Sequence, residues 1–148
     1  MKKLDVLNAI AKNQNPSFPI SNLLDGNPDT FYHSDDKNTE NQPWVQLELE
    51  QGSVVHNVKI TNRDNCCGDR LKNIEVWVGN TNKDWSKNTL CKKFDGPGTN
   101  GQVLTLECTK AIPGRYVTML RNEKEGTVKD WNVMNVAGFE VFGTTGRK

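Results

Sequence analysis

The 148 residues of this chain are a typical length for one domain, and we expect a single domain over residues 1–148. The 19 lysines and arginines against 18 acidic residues leave a net charge of +1, which offers no overall field to attract nucleic acid or an anionic membrane. The mean hydropathy is −0.70 and the apolar runs fall far short of the roughly 20 residues that cross a bilayer, so no transmembrane segment is predicted.

Residues 1–21 have no clean hydrophobic period, and their Asn, Gln and Pro content predicts an irregular arm with one short helical turn at 6–11. We expect this arm to pack along the edge of the domain. Polar residues such as Asp5 and Asn8 interrupt what would be the apolar part of a signal peptide, so none is visible.

Turn signals follow at Asp25-Gly26 and Asn27-Pro28. Oxygen-bearing side chains this close to a glycine also suit a hard cation, because Ca²⁺ takes about six to eight oxygen ligands. The loop is therefore either a simple turn or a cation site. Beyond it, the polar stretch at 35–42 predicts a long exposed loop.

Most of the remaining chain predicts short strands. Segments 44–50 and 74–78 alternate apolar and polar residues with period two, which is typical of a strand with one face in a core. The predicted strands lie at 44–50, 54–61, 74–78, 90–94, 103–108, 115–120 and 136–142, separated by Gly and Pro turns. About eight strands at this spacing predict an all-β protein, either an antiparallel sandwich or a jelly roll.

The loop at 61–71 follows directly on a predicted strand, and in it Arg63 and Arg70 bracket the adjacent Cys66 and Cys67. Adjacent cysteines can bond to each other, which closes a small ring of the strained kind that is usually tolerated at a functional site. They can instead bond to the two remaining cysteines of the chain. Four cysteines permit three connectivities, and spacing alone does not choose among them.

This loop resembles the arginine, vicinal-cystine, arginine signature of the F-type lectins (fucolectins), a branch of the discoidin, or coagulation factor 5/8 type C, group of β-sandwich domains. The matching positions are Arg63, Cys66, Cys67 and Arg70. The resemblance covers about residues 22–143 and implies a discoidin-like sandwich with its core in that range. It further implies that both arginines hydrogen-bond the ring oxygen and hydroxyls of L-fucose, while the cystine ring packs against the apolar edge of the sugar.

The same resemblance implies that Cys66 bonds to Cys67 and that Cys91 bonds to Cys108. An even number of cysteines, two of them adjacent, indicates an oxidising compartment. We therefore expect the mature domain of an extracellular, secreted protein, even though no signal peptide is visible. Its expected partners are fucosylated glycans, with avidity supplied by oligomerisation or by fusion to other modules.

The run from 22 to 27 resembles the calcium loop of the F-type lectins, which implies Ca²⁺ as a cofactor. The implied ligands are Asn22, Asp25, Asn27 and, as a looser match, Ser34. The family commonly adds a glutamate from the last strand, where this chain has Gly138. A neighbouring carbonyl or Glu140 would have to substitute for that glutamate.

The chain also departs from the family pattern around the sugar. The family supplies a histidine from the loop before Trp44, and counting along that loop places its counterpart at Asn38 or Asp36. The nearest histidine is His33. Without a histidine, Asn38 or Asp36 would bond a sugar hydroxyl in its place. Directly before the two cysteines, Asn65 replaces the usual acidic residue.

Two other interpretations remain open. Arg63 and Arg70 could instead pair on the surface with Asp64 and Asp69, where ion pairs contribute about 0–1 kcal/mol. The domain could also be a discoidin-type protein- or lipid-interaction module that has lost fucose binding. No nucleophile elbow, phosphate-cradling glycine loop or zinc-binding histidine pair occurs, so we expect a binding domain and not an enzyme.

Overall fold

The computed structural model describes residues 1–34, 42–123 and 133–145. Over these ranges the chain forms ten β-strands and three short 3₁₀ helices. The strands, numbered in chain order, are β1 Lys2–Lys3, β2 Asn8–Ala11, β3 Tyr32–His33, β4 Trp44–Glu48, β5 Ser53–Asn62, β6 Ile74–Gly79, β7 Thr89–Phe94, β8 Val103–Pro113, β9 Tyr116–Arg121 and β10 Asn135–Thr145. The 3₁₀ helices are Ile20–Leu24, Gly68–Arg70 and Trp85–Lys87.

The strands form two antiparallel sheets that pack face to face. The first sheet has the order β1-β10-β5-β8, with β3 also paired to β10, and the second has the order β2-β4-β9-β6-β7. The predicted all-β antiparallel sandwich is confirmed. Each of the seven predicted strands is present, with bounds shifted by a few residues.

Period-two alternation places one face of each sheet in the core. In β5, Val58 and Ile60 are fully buried, whereas Lys59 between them lies on the outer face of the first sheet. Val76 and Val78 of β6 are likewise fully buried from the second sheet. These side chains belong to one continuous apolar cluster between the sheets, and removing that surface from water is the main force that holds the sandwich together.

The N-terminal arm differs from the prediction. Residues 8–11 form strand β2 on the edge of the second sheet, so the predicted helical turn at 6–11 is wrong. Backbone hydrogen bonds from Leu7 N to Glu48 O (2.8 Å) and from Lys12 N to Trp44 O (2.9 Å) continue this pairing at both ends of the strand. The edge of β4 offers free backbone N–H and C=O groups, and hydrogen bonding to them makes residues 8–11 a strand although their local sequence does not predict one.

A disulfide between Cys91 and Cys108 joins β7 to β8. These two strands lie at the ends of different sheets, so the bond ties the two layers of the sandwich together. The pairing implied by the family resemblance is therefore present.

One end of the sandwich, which we call the rim, gathers the segments on which the sugar-site prediction rests. Strand β5 ends there at Asn62, which pairs with Val136 near the start of β10. The loop at 63–73 leaves from this end, and β3 pairs with the first residues of β10 beside it. The helices in the described part of the chain are short 3₁₀ turns, and none of them is a candidate membrane span.

Candidate functional site

The side chain of Asn62 organises the rim. It is fully buried, and its Oδ1 accepts a hydrogen bond from the backbone N of Arg63 at 3.0 Å. Its Nδ2 donates to Gly68 O at 3.0 Å and to Thr99 O at 2.8 Å. One amide therefore fixes the start of the arginine loop, its middle and a second loop from the opposite side, because a buried amide must satisfy its polar atoms within the protein.

The loop is held from its other side at Gly68. The backbone N of Gly68 donates to Asn100 Oδ1 at 2.8 Å. A Cβ at this position would collide with the backbone of Thr99 and Asn100, so only glycine fits between the two loops. The short helix Gly68–Arg70 starts at this anchor.

Cys66 and Cys67 are bonded to each other, as the family resemblance implies. Both residues are half-buried, and Cys67 has a left-handed backbone with φ of 65°. The backbone N of Arg70 donates to Cys67 O at 3.0 Å. The cystine ring and Arg70 are thus parts of one compact turn.

A non-reduced proteolytic digest checks both pairings in the purified protein. We expect Cys66 and Cys67 to remain within one peptide that is lighter by two hydrogens, while a separate cross-linked peptide joins Cys91 to Cys108. A peptide joining either member of the adjacent pair to Cys91 or Cys108 would contradict this assignment.

The Arg63 guanidinium has a defined position. Its Cζ lies 4.1 Å from the ring centroid of Phe31, and its Nε donates to Asn65 Oδ1 at 2.6 Å. Phe31 in turn stacks on Phe18, with ring centroids 4.7 Å apart. Burial lowers the pKa of Arg63, and the nearby positive charge of Arg70 lowers it further. The positive charge of Arg70 therefore acts on the Arg63 guanidinium.

The interpretation of these arginines as surface ion pairs is wrong. No ion pair within 4.0 Å joins Arg63 or Arg70 to Asp64 or Asp69, all four of which lie in the described part of the chain. The side chain of Arg70 has no hydrogen-bond partner among the described residues. Two arginines of one loop that form no ion pair with the acids of that loop keep N–H donors for a ligand.

His33, the nearest histidine to the position where the family supplies one, is not on the surface. The ring of His33 is 8% exposed, and its Nδ1 donates to Ser34 O at 2.6 Å. Its ring centroid lies 5.9 Å from that of Phe18 and 6.4 Å from that of Phe31. His33 therefore packs beside the aromatic pair under Arg63. Asn38 and Asp36, the other two candidates for this role, lie outside the described residues.

The loop predicted to hold calcium is organised around Asp25. Its Oδ1 accepts the backbone N of Asn27 at 2.9 Å, and its Oδ2 accepts Thr30 Oγ1 at 2.5 Å. Asn27 Oδ1 accepts the backbone N of Asp29 at 2.9 Å, while Asn22 Nδ2 donates to Phe31 O at 2.9 Å. The oxygens of Asn22, Asp25 and Asn27 keep lone pairs that suit a hard cation, so these three residues fit a calcium ion.

The remaining calcium candidates fit less well. Ser34 is fully buried, with its backbone N donating to Met134 O at 2.8 Å and its Oγ accepting from Met134 N at 2.9 Å. Glu140 forms ion pairs with Lys3 at 2.8 Å and Lys59 at 3.8 Å. Glu140 would have to leave two lysines in order to bind a metal. Across the described ranges, no three acidic, histidine or cysteine side chains cluster as metal ligands.

Sequence reasoning missed the residues that support the arginine loop. The sequence places Asn62 only within the loop at 61–71 and Asn100 only within a turn, and it predicts no role for either side chain. Phe31 lies 32 positions before Arg63, and no local pattern signals their contact. An Asn directly before an arginine at a strand exit is a signal that could have identified Asn62, since Asn side chains commonly satisfy backbone groups at such turns.

Comparisons with known proteins identify the family of this chain. A family model described as an F5/F8 type C, NedA-like, galactose-binding domain matches residues 22–119. Fucolectin-4 of Anguilla japonica is 35% identical over 101 residues, which are 67% of this chain and 56% of that protein. The chain thus spans about half the length of the curated relatives it matches.

Solved structures give the same fold. The crystal structure of an F-lectin (fucolectin) from the serum of Morone saxatilis, the striped bass, matches 98% of this chain and 50% of that one, with a TM-score of 0.81 and 23% identity. The lectin domain of lectinolysin in complex with Lewis b antigen matches 93% of each chain, with a TM-score of 0.69 and 25% identity. All of these relatives are described as lectins or lectin domains, and none as an enzyme.

Proposed function

Because this chain belongs to the F5/F8 type C domain family, among its NedA-like, galactose-binding domains, and is homologous to the eel fucolectins, we propose that it is a carbohydrate-binding lectin domain specific for terminal L-fucose. The observation that carries this proposal is the position of Arg63 and Arg70 beside the Cys66–Cys67 ring at the rim. It acts by binding and not by catalysis. The paired disulfides support an extracellular location.

The arginines supply what a neutral sugar needs. A guanidinium presents five N–H donors in a fixed plane. Asn65 occupies one donor of Arg63 and Phe31 covers one of its faces, so its two Nη groups remain for sugar hydroxyls. The donors of Arg70 are available to the same ligand. The half-exposed cystine ring adds a flat apolar contact for the C–H edge of fucose.

Affinity for the single sugar should be weak. A shallow rim site buries few atoms and remains hydrated, so we expect a Kd of about 10 μM to 1 mM. Useful avidity then requires several copies, either through oligomerisation or through fusion to other modules.

A glycan array with the purified domain tests this proposal. Selective binding to glycans that end in α-linked fucose supports it. Binding to liposomes or proteins, combined with silence on every fucosylated glycan, would contradict it and favour an interaction module without sugar binding.

We also propose that Asn22, Asp25 and Asn27 bind calcium. Gly26, with φ of 69°, lets the loop turn back so that the three side chains and nearby carbonyls can surround one ion. When bound, the ion would cross-link the loop that leads to Phe31, and therefore to the residue under Arg63.

Calcium should therefore raise the melting temperature. Ligand linkage predicts a stabilisation of about 2.7 kcal/mol at a hundredfold excess over Kd. Thermal melts in calcium and in chelator measure this effect. The control is Asp25→Asn, which keeps an oxygen to accept the backbone N of Asn27 but removes the negative charge. Calcium should raise the melting temperature of this variant much less than that of the wild type. Equal melts of the wild type with calcium and with chelator would show that the loop is only a turn.

Gly138→Glu provides a gain-of-function check on the same proposal. A Cβ at position 138 would lie 3.4 Å from Thr61, an ordinary contact, so a longer side chain can extend over the outer face of the first sheet. Gly138 and Asp25 line the same cavity. The added carboxylate should reduce the calcium concentration needed for half-maximal stabilisation.

A further inference from the structure

The Cys66–Cys67 disulfide differs from the second disulfide of the chain in its access to solvent. Cys66 and Cys67 are both half-buried at the rim. Cys91 is 1% exposed, and Cys108 packs against the apolar cluster between the sheets. A disulfide exchanges only when a thiolate can reach one of its sulfurs. The adjacent pair is therefore the disulfide that an external thiol reaches more readily in the folded protein.

Hydrogen bonds connect this ring to both arginines of the site. On one side, the backbone O of Cys67 accepts a bond from the backbone N of Arg70 at 3.0 Å. On the other side, Arg63 Nε donates to the side chain of Asn65 at 2.6 Å, and Asn65 directly precedes Cys66 in the chain. A change in the backbone of either cysteine therefore displaces a partner of one arginine.

The backbone of Cys67 is held in a conformation that a free cysteine rarely adopts. Its φ of 65° lies in the left-handed region, where the Cβ of a non-glycine residue crowds the following carbonyl oxygen. The bond to Cys66 is a covalent restraint on this conformation. When that bond is broken, Cys67 can return to a negative φ, and this rotation turns its carbonyl away from the backbone N of Arg70.

The remainder of the loop has anchors of its own. Gly68, the next residue, accepts a hydrogen bond from Asn62 Nδ2 at its O and donates one from its N to Asn100 Oδ1. Neither contact involves a cysteine. Opening the ring therefore leaves these anchors intact and changes only a short segment at the surface.

We propose that the Cys66–Cys67 disulfide is a thiol-exchange site, at which reduction by a dithiol releases Arg70 and weakens sugar binding, and at which reoxidation restores it. The effect on sugar binding rests on the proposed lectin function and adds chemical control to it. The exchange chemistry itself does not depend on that function.

The reaction moves two electrons from the dithiol to the disulfide. A thiolate of the dithiol attacks the sulfur of one cysteine, the bond between Cys66 and Cys67 breaks, and the other cysteine leaves as a thiolate that takes up a proton. The second thiol of the dithiol then attacks the dithiol sulfur of this mixed disulfide and expels the first cysteine, which is protonated in turn. The products are two protein thiols and an intramolecular disulfide of the dithiol. A disulfide oxidant reverses the reaction and closes the ring.

A dithiol suits this site better than a monothiol. After a monothiol attacks one cysteine, the freed thiol of the neighbouring cysteine lies one residue away and can close the ring again, which expels the monothiol. A dithiol carries its second thiol on the same molecule, so resolution of the mixed disulfide competes directly with ring closure. The expected co-substrate is therefore a small molecule or a protein with two neighbouring thiols.

Alkylation of the folded protein tests the exchange site. The full chain is incubated with increasing dithiothreitol, alkylated with iodoacetamide and digested, and melting curves confirm that it stays folded. We expect Cys66 and Cys67 to be alkylated while the peptide that joins Cys91 to Cys108 remains cross-linked, and glutathione, a monothiol, to be much less effective. An adjacent pair that remains bonded until the protein unfolds, or that is reduced no sooner than the buried disulfide, would overturn the exchange site.

Titration calorimetry with methyl α-L-fucoside tests the effect on sugar binding. Dithiothreitol should weaken binding about tenfold or more, the loss expected when one hydrogen bond from a charged group is removed. Replacing the reductant with oxidised glutathione should restore the affinity. The matched control is Cys66→Ser with Cys67→Ser, which has no disulfide to reduce and should bind like the reduced wild type in either buffer.

The two measurements separate the possible failures. If the reduced wild type binds the fucoside as tightly as the oxidised wild type, the switch is overturned and the lectin function stands. If the oxidised wild type does not bind the fucoside or any fucosylated glycan, the lectin function and the switch both fail, and the alkylation pattern alone decides whether the exchange site exists.

Discussion

Arg70→Ala is expected to abolish measurable L-fucose binding while shifting the melting temperature by only about 2 °C. The side chain has no hydrogen-bond or ion-pair partner among the described residues, so the folded state loses little, and such surface changes usually cost within about 0.5 kcal/mol. A hydrogen bond to a charged donor contributes about 1.5–3 kcal/mol. Two such bonds lost from a weak site would reduce affinity more than a hundredfold.

Arg63→Ala should give the same loss of binding with a slightly larger change in stability. Its guanidinium stacks on Phe31, and a cation–π contact at a partly exposed site contributes about 0.5–1 kcal/mol. Arg70→Lys separates charge from geometry, because lysine keeps the positive charge but not the planar fork. We expect it to bind almost as poorly as Arg70→Ala.

Titration calorimetry with methyl α-L-fucoside measures these effects. The matched control is Arg115→Ala, whose guanidinium lies 5.3 Å from the Tyr116 ring and pairs with Glu48 at 2.6 Å, at the end of the sandwich opposite the rim. This control should bind like the wild type. Equal binding by the wild type and both alanine variants at 63 and 70 would contradict the lectin proposal.

Glu123→Ala is expected to destabilise the fold far more than either arginine substitution at the rim. Arg121 and Glu123 have side chains that are 1% and 7% exposed, and Nε of the arginine lies 2.8 Å from the carboxylate. The other carboxylate oxygen accepts Asn73 Nδ2 at 3.0 Å. Removing one partner of a buried pair costs about 3–5 kcal/mol, because the remaining charge stays out of water. The melting temperature should fall by roughly 10 °C.

Chemical denaturation of Glu123→Ala against Lys87→Ala tests this expectation. Lys87 and Asp84 form an exposed pair at 3.8 Å, with side chains 72% and 50% exposed, and its loss should cost less than about 1 kcal/mol. A double change of Arg121→Met with Glu123→Leu removes both buried charges but also the partners of Asn73 Nδ2 and Val133 O, so it should recover only part of the stability. A loss for Glu123→Ala no larger than that for Lys87→Ala would contradict the role assigned to the buried pair.

The sequence predicted the sandwich because its central strands alternate clearly. The residues of segment 44–50 alternate between the core and the outer face, and this pattern alone predicts strand β4. Strand β2 has no such pattern in its Asn-Ala-Ile-Ala sequence, and it forms because β4 offers an edge. Local sequence propensity therefore does not predict β2, because pairing with β4 decides the conformation of this segment.

In the candidate site too, some features follow from the local sequence and others only from tertiary contacts. Arg63, Arg70 and the two cysteines lie within one short segment, so a local motif revealed them. Their orientation depends on Asn62 at the end of β5, and also on Asn100 and Phe31, which reach the loop from distant parts of the chain. Contacts between residues distant in sequence leave no periodic trace, and only the folded chain shows them.

The register of β10 gives the molecule a fixed polarity. Val136 pairs with Asn62 at the rim, whereas Thr145 pairs with Ser53 about nine residues further on, roughly 30 Å away. Lys2 pairs with Gly143, so both ends of the described fold lie at that far pole, next to each other. Anchoring the protein to a bead or sensor surface through either end would therefore point every arginine loop toward the solution, whereas coupling through its scattered lysines would give mixed orientations.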